Sequence, residues 1–123
     1  MGGRGTYAAD NYAPFTYETV DIIEGVKVLE KLNKKDSINL PEEAHSSRAY
    51  ILLDHEGKFK RYREYNADKT AKFDIDYHKE PKLAGHHGPV LHIHFYSNLS
   101  RDRSGRLLTE EEFKKYKKYF RGL

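Results

Sequence analysis

The chain has no cysteine and no tryptophan, and only one of its 123 residues is a methionine. The absence of cysteine excludes disulfide bonds and any zinc site built from thiolates. No hydrophobic run approaches the ~18 residues that a transmembrane helix needs. The glycine-rich residues 1–5 have no apolar stretch behind them, so we expect no secretory signal. These absences predict a cytoplasmic protein without a membrane partner.

Aromatic residues offset the low hydrophobic content of the sequence. The chain contains ten Tyr and six Phe, although hydrophobic residues make up only 37% of it. Large aromatic side chains supply buried area and are scarce in disordered chains. The length suits one domain. We therefore predict a single α+β domain over residues 17–123, preceded by a flexible N-terminal arm over residues 1–16.

Several segments have the composition and spacing of β-strands. Residues 17–31 are rich in β-branched side chains and are divided by Gly25, which favours two strands joined by a turn. Four further strands are predicted over residues 48–54, 58–65, 71–78 and 90–96. The last two alternate regularly between apolar and polar side chains. The pattern predicts an antiparallel sheet of four or more strands.

The C-terminal residues carry the clearest helix signal. Thr109 and Glu112 match a capping box, acidic residues fill the first turn and lysines follow. Phe113, Tyr116 and Phe120 form one apolar stripe at helical spacing. We expect this C-terminal helix to pack on one face of the sheet.

Alternation also predicts a polar, solvent-exposed face on the side of the sheet away from the helix. Asp74, Asp76 and His78 share this face on one strand, and His92, His94 and Tyr96 share it on the other. If the two strands pair, the histidines lie within cross-strand reach of Asp76 and His78. Arg61 and Arg63 share a face of the strand over residues 58–65. The opposite face of that strand carries Lys58, Lys60, Tyr62 and Glu64. The pattern leaves open which of these two sets joins the histidines.

One hypothesis for the polar face is RNA cleavage without a metal or other cofactor. Such cleavage needs a base, an acid and a cation that stabilises the phosphate in the transition state. Histidine supplies the first two near neutral pH, and arginine supplies the third. The candidate catalytic residues are His92, His94, His78 and Asp76. The candidate substrate-binding residues are Arg61, Arg63, Tyr62 and Tyr96.

Two other hypotheses remain open for the same face. It could be a metal site for zinc, manganese or iron, with nitrogen and oxygen ligands from His92, His94, His78 and Asp76. Alternatively, these side chains pair with one another, or the face binds a partner and catalyses no reaction.

Positive charge is concentrated near the C-terminus. Residues 101–123 carry eight Lys/Arg against four Asp/Glu, whereas the whole chain has a net charge of +3. A cationic segment favours contact with nucleic acid or an acidic partner, although a solvated helix face has the same composition. For Arg101, Arg103 and Arg106 we expect a solvated loop, with contact to a phosphate backbone as the alternative.

Four stretches, together with the MGGRG start, resemble small proteins encoded by phages and mobile elements of Gram-positive bacteria. They are residues 40–47 (LPEEAHSS), 60–65 (KRYREY), 91–96 (LHIHFY) and 106–120 (RLLTEEEFKKYKKYF). The resemblance covers most of residues 40–120 and implies a bacterial host. Proteins in this setting include anti-defence factors, such as anti-CRISPR proteins, and small toxin-like nucleases. The strand-rich core is also similar in outline to the barnase–EndoU–colicin–RelE class of ribonucleases, although no diagnostic motif of that class is present.

The sequence therefore predicts a phage- or mobile-element-encoded accessory protein that engages RNA or an RNA–protein complex, with endoribonuclease activity as one form of that engagement. The alternative is a non-enzymatic inhibitor that binds a host defence nuclease. Such an inhibitor would use the basic C-terminal helix and the tyrosine-rich arm as its contact surface.

Overall fold

The computed structural model describes residues 17–31, 40–44, 47–97, 100–102 and 105–123, and the predicted arm over residues 1–16 lies outside these ranges. The strands are β1 (Tyr17–Ile23), β2 (Val26–Lys31), β3 (Ala49–Leu53), β4 (Phe59–Tyr65), β5 (Ala71–Lys79), β6 (Pro89–Ser97), β7 (Ser100–Arg101) and β8 (Arg106–Leu107). The helices are α1 (Pro81–Ala84) and α2 (Glu110–Tyr116), and a 3₁₀ turn over Lys117–Tyr119 follows α2.

The strands of the described residues form one sheet in the order β1-β2-β3-β4-β5-β6-β7, with β8 also paired to β6. Neighbouring strands are antiparallel except for β2 and β3, which are parallel. The predicted α+β class, with a large and mostly antiparallel sheet and a short C-terminal helix, is confirmed. The parallel pair is not predicted by the sequence pattern. None of the helices in the described part of the chain has the length and apolarity to cross a membrane.

The turn between β1 and β2 confirms the predicted division of residues 17–31. Glu24 and Gly25 both have positive φ, of 48° and 82°. Glycine adopts this left-handed conformation without the steric cost that a Cβ atom imposes. The turn therefore brings β1 back along β2, with Ile23 opposite Val26.

A β-bulge decides which residues of β4 share a face. Leu52 of β3 lies opposite Arg61, whereas the next residue, Leu53, lies opposite Phe59, so Lys60 is the extra residue. The bulge places Phe59 and Tyr62 in the same hydrophobic cluster. Arg61 consequently projects to the other side of the sheet, where it meets Asp76.

Aromatic rings join the C-terminal residues to one side of the sheet. Tyr116 lies 5.4 Å from Tyr62 and 5.7 Å from Phe73, measured between ring centroids. Phe120 lies 4.7 Å from Phe59. Phe113, the third residue of the predicted stripe, is 43% exposed. The apolar stripe therefore contributes two of its three rings to the core.

A second hydrophobic cluster covers the opposite side of the sheet. Its buried members are Tyr17, Leu29, Leu40, Ala44, Tyr50, Leu52 and Tyr65. Residues 40–44 are held in place by the turn between β4 and β5, because the Ala44 N–H donates to the Lys69 carbonyl and Glu43 forms a bridge with Thr70. This segment covers part of the face on which the sequence places the histidines.

Candidate functional site

Two rows of polar side chains cross the middle of the sheet. In the first row Arg61 of β4 lies opposite Asp76 of β5, which lies opposite His92 of β6. In the second row Arg63, Asp74 and His94 occupy the equivalent positions two residues further along each strand. Since side chains two residues apart point to the same face, all six lie together. The register therefore places Arg61 and Arg63, and not the lysine set, beside the histidines.

Each carboxylate of the two rows accepts a two-pronged hydrogen bond from an arginine. Arg61 donates from Nε and Nη2 to the two oxygens of Asp76, over 2.6 and 3.1 Å. Arg63 donates in the same way to Asp74, over 2.6 and 3.0 Å. Paired donation of this kind is the strong form of the arginine–carboxylate contact. It uses the donors that a phosphate group would otherwise engage.

Arg101 connects the two rows. It lies opposite Tyr96 in the short β6–β7 pair, and its Nη1 and Nη2 donate to Asp74 and Asp76 over 3.2 and 2.5 Å. The Tyr96 hydroxyl donates to Asp74 over 2.9 Å. The expectation that Arg101 lies in a solvated loop is wrong, because pairing of β7 with β6 turns its guanidinium toward the buried carboxylates.

Both imidazoles are oriented through Nδ1. His92 Nδ1 donates to the Val90 carbonyl over 3.0 Å, and His94 Nδ1 donates to the Asp102 carboxylate over 2.8 Å. The neutral form of each ring therefore keeps its lone pair on Nε2. The two ring centroids lie 5.0 Å apart.

Gly105 allows the chain to pass directly over His94. A Cβ atom at this position would lie 2.9 Å from two atoms of the His94 ring and 2.6 Å from the Ile93 carbonyl oxygen. The backbone also has a φ of 65°, which L side chains rarely adopt. Both observations require glycine at residue 105, and the close approach covers the imidazole.

The polar face is buried, so the prediction of an exposed face is wrong. His92 is 1% exposed, His94 3% and Asp74 0%. Residues 40–44 cover one end of the face, where Arg63 Nη1 donates to the Leu40 and Pro41 carbonyls over 2.9 and 3.1 Å. Residues 100–102 and Gly105 lie at the other end. Chain segments without a strand pattern of their own thus shield side chains that alternation alone places in solvent.

The network fixes the ionisation of its members. Burial alone would raise the pKa of Asp76, but hydrogen bonds and charge from Arg61 and Arg101 outweigh it and hold that pKa below its ordinary value. Burial, with the nearby Asp74 carboxylate, raises the pKa of Tyr96 to about 12. Asp76 is therefore ionised and Tyr96 is protonated at neutral pH.

The remaining predicted site residues lie elsewhere or outside the described ranges. His78 is exposed near the end of β5, opposite Val90. Tyr62 belongs to the hydrophobic cluster on the other side of the sheet, and its hydroxyl donates to Glu64 over 2.8 Å. Arg106 pairs with Glu112 near the C-terminal helix, and Arg103 lies outside the described residues. Neither His78 nor Tyr62 belongs to the buried cluster.

Asp76, His92 and His94 form a potential metal-binding group. One ligand atom from each of these buried residues lies within 4.8 Å of the other two. Two imidazoles and a carboxylate are a donor set suited to zinc or iron. Three of the four metal ligands considered from sequence are therefore brought together, and His78 is not among them.

Three residues that complete the cluster, Asp74, Arg101 and Asp102, were not among the predicted site residues. Alternation places Asp74 on the correct face, and a cross-strand arginine is the signal that could have identified its role. Arg101 and Asp102 follow β6 in a segment without periodicity, so only the fold brings them to the cluster.

In comparisons with protein-family models, curated proteins and solved structures, no match to this chain was found.

Proposed function

We propose that this protein is a non-enzymatic binding protein that engages RNA, free or within an RNA–protein complex, through its basic C-terminal segment, residues 113–121. The observation that carries the proposal is a set of exposed lysines without acidic partners beside exposed aromatic surface. The five cations of this segment are Lys114, Lys115, Lys117, Lys118 and Arg121, and the segment contains no Asp or Glu.

Three of these cations remain uncompensated. Lys114 pairs with Glu110 and Arg121 pairs with Asp21. Lys115, Lys117 and Lys118 are exposed, and no carboxylate of the described residues lies within salt-bridge distance of them. Lysines in this state supply the counterion-releasing contacts that dominate nucleic-acid affinity.

Aromatic rings lie among the same lysines. The Lys115 ammonium group lies 5.2 Å from the ring centroid of Tyr116, and the Lys118 ammonium group lies 5.2 Å from that of Tyr119. Tyr116 is buried in the core, so Phe113, which is 43% exposed, offers the ring surface for stacking. Lysines interleaved with aromatic rings are typical of surfaces that bind single-stranded nucleic acid, because bases stack on the rings while lysines contact phosphates.

A cleft beside the segment offers further aromatic surface. It has a volume of about 230 Å³ and includes Phe95, Lys115 and Tyr116 in its lining. Arg106 lies over the ring of Phe95, 5.4 Å from its centroid. Glu111 and Glu112 also line the cleft, and Glu112 pairs with Arg106. An unstacked base inserted here would contact the Phe95 ring, whereas a phosphate would be held by the lysines outside the cleft.

The buried cluster favours binding over cleavage. Arg61 and Arg63 already donate to carboxylates, the imidazoles of His92 and His94 are buried, and Gly105 lies directly against the His94 ring. A 2′-hydroxyl group would have to displace this chain segment before it could meet a histidine base. We therefore assign recognition to the C-terminal surface.

Titration of a fluorescent single-stranded RNA tests the proposal. Lys117→Glu/Lys118→Glu should weaken binding by more than about tenfold, because two phosphate contacts become repulsive. The matched control is Lys79→Glu/Lys82→Glu, which makes the same charge change at exposed lysines of β5 and α1. Removal of Lys115, Lys117 and Lys118 should make the slope of log K against the logarithm of the salt concentration less steep by about two, at ~0.7 per contact with single-stranded RNA.

Equal losses in both charge-reversal variants would indicate a non-specific effect of net charge and would contradict the proposed surface. Incubation of the same RNA with and without EDTA tests catalysis. Cleavage by the wild type that disappears in His92→Ala/His94→Ala would refute a purely binding role and would establish a ribonuclease. Saturation at one protein per RNA site, with intact RNA, is the result we expect.

A further inference from the structure

We propose that Asp76, His92 and His94 bind one divalent transition-metal ion of the zinc class inside the sheet. The inference is independent of the RNA-binding surface and rests on the geometry of the buried cluster. His92 and His94 are successive inward-facing residues of β6, and Asp76 is the cross-strand neighbour of His92. One ligand atom from each lies within 4.8 Å of the others.

Both imidazoles make the hydrogen bond that is typical of metal-bound histidines. A metal-bound histidine usually donates its other ring N–H to a carbonyl or carboxylate, which fixes the ring and leaves one lone pair for the metal. His92 donates to the Val90 carbonyl and His94 donates to Asp102. Asp102 is itself fixed, because its second carboxylate oxygen accepts from the Phe95 N–H over 3.1 Å. Nε2 is then the ring atom of each histidine that would bind the metal.

The spacing of the three side chains is close to that of a bound ion. Because the three ligand atoms lie within 4.8 Å of one another, a central point lies at most about 2.8 Å from each, and zinc–nitrogen bonds are ~2.1 Å long. Binding therefore requires each ligand atom to move inward by under ~1 Å. Rotation about side-chain torsions provides such movement without a change in the strands.

The arginines on Asp76 leave room for a metal bond. Arg61 donates to both carboxylate oxygens and Arg101 donates to Oδ2. A carboxylate offers about four lone-pair positions, so one position on Oδ1 remains. The positive charges of the two guanidinium groups disfavour binding of a metal ion alone, and they favour a metal ion with an anionic fourth ligand. We therefore expect a three-residue site whose fourth position is taken by hydroxide or another small anion.

Direct metal titration of the intact protein tests this inference. Isothermal titration with Zn²⁺ should give one site per chain, and Co²⁺ should give the intense visible absorption of a tetrahedral site. Zinc at about 100 times its dissociation constant should raise the melting temperature by several degrees. Asp102→Asn is the informative variant, because Asp102 is exposed and holds a ligand without binding the metal. It should weaken zinc binding by roughly 10–100-fold.

Exposed histidines provide the matched control. His86 and His87 lie together on the surface between α1 and β6, where adventitious metal binding would occur. His86→Ala/His87→Ala should retain the stoichiometric site and the thermal shift. Loss of both in this variant would overturn the proposal, as would the absence of binding by the wild type. His92→Gln and His94→Gln should each abolish the Co²⁺ spectrum. If either variant fails to fold, the Asp102→Asn and His86→Ala/His87→Ala measurements decide.

Discussion

Asp74 is the most deeply buried charged residue of the cluster. Its side chain is fully buried and accepts hydrogen bonds from Arg63, Arg101 and Tyr96. A buried carboxylate is costly to desolvate, and only partners that satisfy its lone pairs make it tolerable. The reverse also holds, since Arg63 is buried and would be left with an uncompensated charge if Asp74 were removed.

Replacement of Asp74 by alanine should therefore lower the free energy of unfolding by about 3–5 kcal/mol, the cost of leaving a buried charge without its partner. Urea denaturation followed by circular dichroism measures the difference. The control is Glu110→Gln, which removes the exposed partner of Lys114 and should change stability by less than about 0.5 kcal/mol. A loss below 1 kcal/mol at Asp74 would mean that solvent reaches the network and screens it.

At the level of elements, the long strands were predictable and the short ones were not. β5 and β6 have nine residues each; β5 alternates throughout and β6 alternates from Leu91 onward, so their faces, and their bounds to within one residue, follow from a period of two. β7 and β8 have two residues each, which is too short for any period. Their conformation depends on β6 as a template. The burial of the cluster was missed for this reason, because Arg101 lies in β7 and Gly105 directly precedes β8.

The capping box that begins α2 predicts a pH dependence. Hydrogen bonds from Arg106 and the Thr109 N–H to Glu112 hold the pKa of that carboxyl at about 2. A lowered pKa in the folded state stabilises the protein above the ordinary value near 4.5, and this stabilisation is lost as the pH falls toward 2. Glu112→Gln should therefore cost about 1 kcal/mol at pH 7 and progressively less below pH 4.

Urea denaturation of the wild type and of Glu112→Gln at several pH values measures this difference. Glu111→Gln is the matched control, because Glu111 is an exposed acid of the same turn and its replacement should cost little at any pH. A difference between wild type and Glu112→Gln that stays constant from pH 7 to pH 2 would contradict the role given to the carboxylate.

Across the whole molecule, one sheet supports two cores of different character. The side that meets the C-terminal residues is apolar and aromatic, and the other side combines a smaller apolar cluster with the arginine, aspartate and histidine rows. β5 contributes Phe73 and Ile75 to the first side, and Asp74 and Asp76 to the second. Because alternate residues of one strand serve both cores, loss of either core should disrupt the strand that holds the other.

This sharing predicts a single cooperative unfolding transition, which hydrogen exchange can test. β5 is paired with β4 on one side and β6 on the other. Its amides should therefore exchange only through global unfolding, with the free energy of unfolding found by urea denaturation. Amides of β1, the first strand of the sheet, should exchange faster through local opening. In Asp74→Ala the protection of Phe73 and Ile75 should fall by the full loss of global stability, although both lie on the opposite face. Unchanged protection at these two residues would mean that the two cores unfold separately.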